Sequence, residues 1–236
     1  MEASASEGVS VELREGGIAV VRMQLGENRF NPTTLDGLEA ALDQVEKIDG
    51  PAALVLTGGG KFFSNGLDLE WLGGADDDSR RQALSRVYRL FARLLEFPAP
   101  TVAAINGHVF AGGAMMALAC DWRVMREDRG YFCFPEADIG LVFVPGMNAM
   151  ITDKLTPTAA RDTMLTGRRF GAAECLEMGV VDAIAPEQDV IEVAAGLVEP
   201  LAGKPKHVQQ GIKQGISRNS IAELEAEAER ALALEF

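Results

Sequence analysis

The chain has 236 residues, of which 47% are hydrophobic and 24% charged, enough for one domain with a substantial core and at most an appendage. Its 35 acidic and 22 basic residues give a formal charge of -13, which argues against nucleic acid or an anionic membrane as partner, because phosphate needs clustered Lys and Arg. Three cysteines without CxxC spacing, no basic-apolar signal pattern at the start and no apolar run near ~18 residues suggest a cytoplasmic protein.

In chain order, "VSVELREGGIAVVRMQL" predicts two strands around Gly16-Gly17. Asn31 suits an N-cap and Pro32 the first turn of a helix whose apolar stripe is Leu35, Leu38, Leu42, Val45 and Ile48. "AALVLTGG" is an apolar strand with little alternation, as expected when both faces are covered. A second amphipathic helix carries Leu84, Val87, Phe91, Leu94 and Leu95 and ends before Pro98 and Pro100. "TVAAINGHV" predicts one buried strand running into a glycine turn at Gly112-Gly113 and a short apolar helix, followed by strands "DWRVMR" and "YFCF". From about Pro145 the pattern turns helical, through "TPTAARDTMLTG", "GAAECLEMG" and two last helices after Pro205 and Asn219, the last with an apolar stripe of Ile221, Leu224, Ala228 and Leu232 that a partner subunit could cover. The expectation is an α/β core over residues 1–190 and a helical region over 191–236 within the same domain.

Two stretches repeat one design: a buried strand ends in a glycine turn whose backbone N–H groups point into a loop. They are "KFFSNGLDL" and "NGHVFAGGAMMALACD". The helix after the second turn has free N–H groups and a dipole that favours negative charge. One such turn is ordinarily structural, whereas two facing each other could donate to one oxygen.

These two stretches, with "PEADIGLVFVPG", resemble signature segments of the crotonase (enoyl-CoA hydratase/isomerase) superfamily. The opening hairpin, "NRFNPTTLDGLEAAL" and "LTGRRFGAAECLEMGVVDAI" fit in the same order, so the resemblance spans roughly residues 8 to 205. It implies a spiral of ββα units with a C-terminal helical lobe, and an acyl-CoA thioester as substrate. The thioester enolate would be held by the N–H groups of Leu67 and Gly112. Ser64, Asn65, Gly66, Asp68 and Gly113 would accompany the CoA moiety, largely through main chain. CoA belongs to the substrate, so no separate cofactor or metal is expected, and a homotrimer or a dimer of trimers is the implied assembly.

Hydratases of this superfamily use two glutamates. Met115 stands where the first would be, and the second is Glu136. One glutamate beside an oxyanion hole resembles the Δ3-Δ2-enoyl-CoA isomerases, as does Leu-Asp-Leu at residues 67–69. Physical chemistry agrees: a carboxyl that takes a proton from one carbon and returns it to another needs a pKa of roughly 6 to 7. Burial among Phe134, Pro135, Leu141 and Phe143 would move Glu136 that way. The common Gly-Gly pair after "VPG" is replaced by Met147-Asn148, a departure that bears on the acyl pocket more than on the base.

Other readings compete with this one. Ser64, His108 and Asp68 or Asp121 could form a nucleophilic triad, but Ser64 lacks a nucleophile-elbow context. Glu39 with Asp43, and the glutamates at 223–229, read as solvated helix faces rather than metal sites. Trp71 and Phe143 read as packing residues that could also line an acyl pocket. Arg29 and Lys61 are the cations nearest the CoA loops, and solvation at the surface is the favoured reading of each. A hydratase, thioesterase or decarboxylase of the same fold is the alternative activity, and a non-catalytic binding protein the alternative class.

Overall fold

In the computed structural model, residues 5, 6 and 8–235 are described. Strands β1 (Ala5–Ser6), β2 (Val9–Leu13) and β3 (Ile18–Met23) pair antiparallel, with Gly16 and Gly17 at φ 75 and 82 where β2 turns into β3. Helix α1 (Pro32–Glu46) starts as its sequence dictates, the Asn31 side chain accepting from the Thr34 N–H. Strand β4 (Ala53–Gly58) then lies parallel to β3. After β5 (Phe62–Ser64) come α2 (Leu69–Gly74) and α3 (Asp77–Leu95). Next are β6 (Thr101–Ile105), β7 (His108–Phe110), α4 (Gly112–Ala119), β8 (Trp122–Arg126) and β9 (Phe132–Cys133). Helices α5 (Pro145–Lys154), α6 (Pro157–Thr166) and α7 (Ala172–Glu177) precede β10 (Ala183–Ala185). Helices α8 (Val190–Val198), α9 (Lys206–Ile216) and α10 (Arg218–Leu232) complete the chain.

Seven strands form the large sheet in the order β1-β2-β3-β4-β6-β8-β10, and β5, β7 and β9 form a second, three-stranded sheet. Along β3 and β4, Val21, Met23, Leu54 and Leu56 enter the main core with α1, α3 and α4. Ile18, Val20, Ala53 and Val55 pack on the opposite face against Val190, Ala194 and Val198 of α8. Both faces are covered, which is why β4 reads as an unbroken apolar run.

The structure departs from the sequence reading in four places. "TVAAINGHV" is two strands: Asn106 accepts from the Gly58 N–H, the His108 N–H donates to the Lys61 carbonyl, and the chain passes from the large sheet to the small one. The Leu-Asp alternation after Gly66 encodes α2, with the Asp68 carboxylate accepting from the Trp71 N–H as an N-cap. Strand β10, paired parallel to β8, is too short to show a period. The stripe Ile221, Leu224, Ala228 and Leu232 of α10 is not left for a partner subunit: Leu224 and Ala228 are fully buried within the chain, because α10 packs along α3 and α5. On α9, by contrast, Val208, Ile212 and Ile216 are exposed. Among the described residues no helix is long and apolar enough to cross a membrane.

Candidate active site

The small sheet and its turns assemble the site. Phe30 and Leu67 form a parallel bridge in which the Phe30 N–H donates to the Gly66 carbonyl at 2.7 Å and the Asp68 N–H to the Phe30 carbonyl at 3.1 Å. That register turns the Leu67 N–H away from Phe30, and it has no acceptor among the described residues. Gly112 opens α4, so its N–H has no intrahelical partner. Gly66, at φ 78, touches the other turn: a Cβ there would lie 2.8 Å from the Gly112 nitrogen. Gly113 is equally confined, since a Cβ would come within 2.4 Å of the Ser64 carbonyl.

Ala111, between the small sheet and α4, sits at φ 48 and ψ -125. This is a sparsely populated region for a residue with a side chain, at a cost of about 1–3 kcal/mol. The surroundings hold it there: its N–H donates to the Cys133 carbonyl at 3.0 Å and its carbonyl accepts from the Met115 N–H at 3.1 Å. The kink sets the direction in which the Gly112 N–H points.

Leu67, Gly112, Asn65 and Glu136 line one cavity of ≈ 520 Å³, together with Met115, Val87, Tyr88, Phe110, Leu141 and Met147. Glu136 follows β9, is 7% exposed, and its Oε2 has no hydrogen-bond partner among the described residues. Burial pushes its carboxyl up to about 7. Among the described residues no other carboxylate contributes to the wall, whose charged members are Glu136, Arg29 and Arg169. Arg29 pairs with Glu27 at 2.6 Å, and Arg169 lies 5.6 Å from the Phe110 ring centre.

The remaining candidates serve the frame around this cavity. The buried Ser64 hydroxyl donates to the Asn28 carbonyl at 2.7 Å and accepts from the Gly66 N–H at 3.2 Å, so no imidazole engages it. The triad is therefore not assembled. His108 stacks among Phe62, Phe110 and Tyr131. Asp68 caps α2 and accepts from the Asn31 side chain at 3.0 Å. Asn65 donates to the Glu27 carboxylate at 2.8 Å. Lys61 and Trp71 are outside the cavity wall, and Phe143 packs edge-on against Phe134 at 5.6 Å and faces a neighbouring hollow. Glu39 and Asp43 pair with Arg86 and Arg93. Among the described residues no group of His, Cys, Asp and Glu is placed to hold a metal ion.

Sequence reasoning missed Asn28, Tyr88 and Arg169. Asn28 is fully buried at φ 52, accepts from the Leu25 N–H, and donates to the carbonyls of Phe62 and Phe63, clamping the first turn to β5. Its tolerance of positive φ was the available signal. Tyr88 sits in a helix read for its core stripe, and no local pattern places it beside Met115.

The sequence pattern described as Enoyl-CoA hydratase/isomerase matches residues 13–234. Enoyl-CoA delta isomerase 3 of Arabidopsis thaliana is 36% identical over 185 residues, covering 75% of this chain and 78% of its own length. A putative enoyl-CoA hydratase of Thermus thermophilus is 40% identical over 199 residues, covering 81% and 77%. The human mitochondrial delta3-delta2-enoyl-CoA isomerase has a similar structure, with a TM-score of 0.86 at 25% identity over 96% of this chain and 91% of that one. The probable enoyl-CoA hydratase EchA3 of Mycobacterium tuberculosis gives 0.87 at 28% identity over 96% and 95%. Both isomerases and hydratases stand among these relatives, so the reaction has to be argued from the site.

Proposed function

This chain belongs to the enoyl-CoA hydratase/isomerase family, and on that premise we propose that it isomerises 3-enoyl-CoA to 2-enoyl-CoA thioesters. The observation that carries this reading is the buried carboxylate of Glu136, the one carboxylate among the described residues of a cavity wall that also holds Met115. Water addition calls for a group to hold and activate water, and methionine has no such group.

In the proposed reaction the thioester oxygen lies between the N–H groups of Leu67 and Gly112. Ionised Glu136 removes a proton from C2, and the negative charge moves onto the oxygen, where the two donors stabilise it. The protonated carboxyl then returns its proton to C4, leaving the double bond between C2 and C3. A carboxyl near 7 is basic enough for the first step and acidic enough for the second. The apolar wall excludes water from the enolate. Asn65 and Arg29 flank the CoA path, and the reaction draws on no further cofactor. The assembly consistent with this reading is a homotrimer or a dimer of trimers.

The test is to incubate the purified protein with 3-enoyl-CoA and 2-enoyl-CoA and to follow the products by absorbance and mass. Conversion of 3-enoyl to 2-enoyl ester with little 3-hydroxyacyl product is expected. Met115→Glu, which adds a second carboxylate to the wall, should introduce some hydration of 2-enoyl-CoA. Rapid hydration by the unaltered chain would overturn the isomerase assignment.

A further inference from the structure

Beyond the Glu136 cavity lies a second hollow of ≈ 650 Å³, and the two share Leu141 and Val142 as wall residues. Phe143, Ala160, Met164 and Leu165 give the second hollow an apolar lining between the 137–143 segment, α5 and α6. Its polar side chains are already engaged. Asn148 donates to the Phe143 carbonyl at 2.9 Å, the Thr152 hydroxyl donates to the Asn148 carbonyl at 2.8 Å, and Arg161 pairs with Asp162 at 2.7 Å. The wall of this hollow is thus mainly apolar, with Asn148, Thr152 and Arg161 as its polar members.

The ridge between the two spaces is unusually apolar for an exposed surface. Leu141 and Val142 are 55% and 88% exposed, and Leu165, on the wall of the second hollow, is 73% exposed. Single exposed apolar residues are ordinary, but a contiguous group beside a cavity marks a binding surface. The ridge is also tied to the base: the Leu141 N–H donates to the Glu136 carbonyl at 2.9 Å, and the Asp138 and Ile139 N–H groups donate to the Pro135 carbonyl. One turn therefore presents both the carboxylate and the ridge.

We propose that the acyl chain of the substrate crosses the Leu141–Val142 ridge and lays its distal carbons in the second hollow, which makes long-chain 3-enoyl-CoA thioesters the preferred substrates. This rests on the reading of the Glu136 cavity as the place where the thioester reacts. With C2 beside Glu136 and the thioester oxygen at the two glycine turns, a short chain ends inside the first cavity. A long one runs out of room there and has an apolar continuation. Met147 lines the first space and its neighbour Asn148 the second. Each methylene newly buried should strengthen binding roughly fourfold until the hollow is filled.

The experiment measures Kd by calorimetry for saturated acyl-CoA esters of four, eight, twelve and sixteen carbons, which bind without reacting, alongside kcat/KM for the matching 3-enoyl esters. Leu165→Asp and Thr152→Trp alter exposed positions of the hollow, and circular dichroism checks that both still fold. Affinity should rise by at least roughly tenfold from four to twelve carbons. Each variant should lose most of that gain and leave the four-carbon ester unchanged. A flat chain-length profile, or a long-chain Kd indifferent to both variants, overturns the proposal. So does a Leu165→Asp variant that changes the assembly state and keeps the chain-length profile, which would make the hollow a contact between copies. Turnover of short 3-enoyl esters without a length gain refutes the hollow alone. A length gain in binding without turnover supports the hollow and refutes the isomerase reading.

Discussion

As the proposed base, Glu136, with its carboxyl pushed to about 7 by burial, should make activity and stability depend on pH in opposite directions. The base must start ionised, so kcat/KM for a 3-enoyl ester should rise with pH through about 7 and level off above it. The ordinary glutamate value is 4.5. Between 4.5 and about 7 the folded chain therefore holds a proton that the unfolded chain has released, and stability falls as pH rises through that window. At about 1.4 kcal/mol per pKa unit, the loss is on the order of 3 kcal/mol. Glu136→Gln should remove both effects: kcat falls at least ~10²-fold, and the denaturation midpoint loses the falling component that Glu136 supplies, leaving the opposite contribution of His108, whose pKa burial lowers. An unchanged pH–rate midpoint in the variant would assign the titration to another group.

At the scale of elements, the turn from β7 into α4 does the positioning. Ala111 accepts an unfavourable backbone conformation, and Gly112 has little space, since a Cβ on it would meet the Phe30 ring at 3.1 Å. Gly112→Val would therefore disturb the core around Phe30 as well as the N–H, and Gly112→Ala is the cleaner probe. It keeps the donor and displaces it by tenths of an ångström. The expected result is a fall in kcat of at least ~10-fold with KM little changed. Full activity in Gly112→Ala would mean that this N–H does not act on the developing charge.

For the whole molecule, α9 is where a partner subunit would act. Val208, Ile212 and Ile216 are spaced four apart on one side of the helix and are 44%, 57% and 70% exposed, an apolar stripe with no cover inside the chain. Helix α9 is tied to the core through an ion pair between the buried Lys213 and Asp121, which follows α4. Light scattering at micromolar concentration should report a multiple of the single-chain mass, and Ile212→Glu should lower it. A monodisperse single chain in the unaltered protein would refute the trimer.

Several features were legible in the residues alone because they are local. Asn31-Pro32 starts a helix through one side-chain bond to its first turn, and the glycine pair at 16–17 turns a hairpin by its own φ angles. The unbroken apolar run of β4 required cover on both faces, and α8 and the main core supply it. Of the four apolar neighbours expected to bury Glu136, Pro135 and Leu141 line its cavity, whereas Phe143 faces the neighbouring hollow. Tertiary structure decided the rest, because the contacts join distant segments. The division of "TVAAINGHV" between two sheets depends on Asn106 meeting Gly58 and His108 meeting Lys61. The meeting of the two glycine turns depends on Gly66 reaching Gly112, 46 positions along the chain by subtraction of their numbers. Whether the stripe of α9 or of α10 stays exposed is set by which helix packs on α3 and α5. Amphipathic periodicity shows that a helix has an apolar face; what covers that face is determined by where the other elements lie.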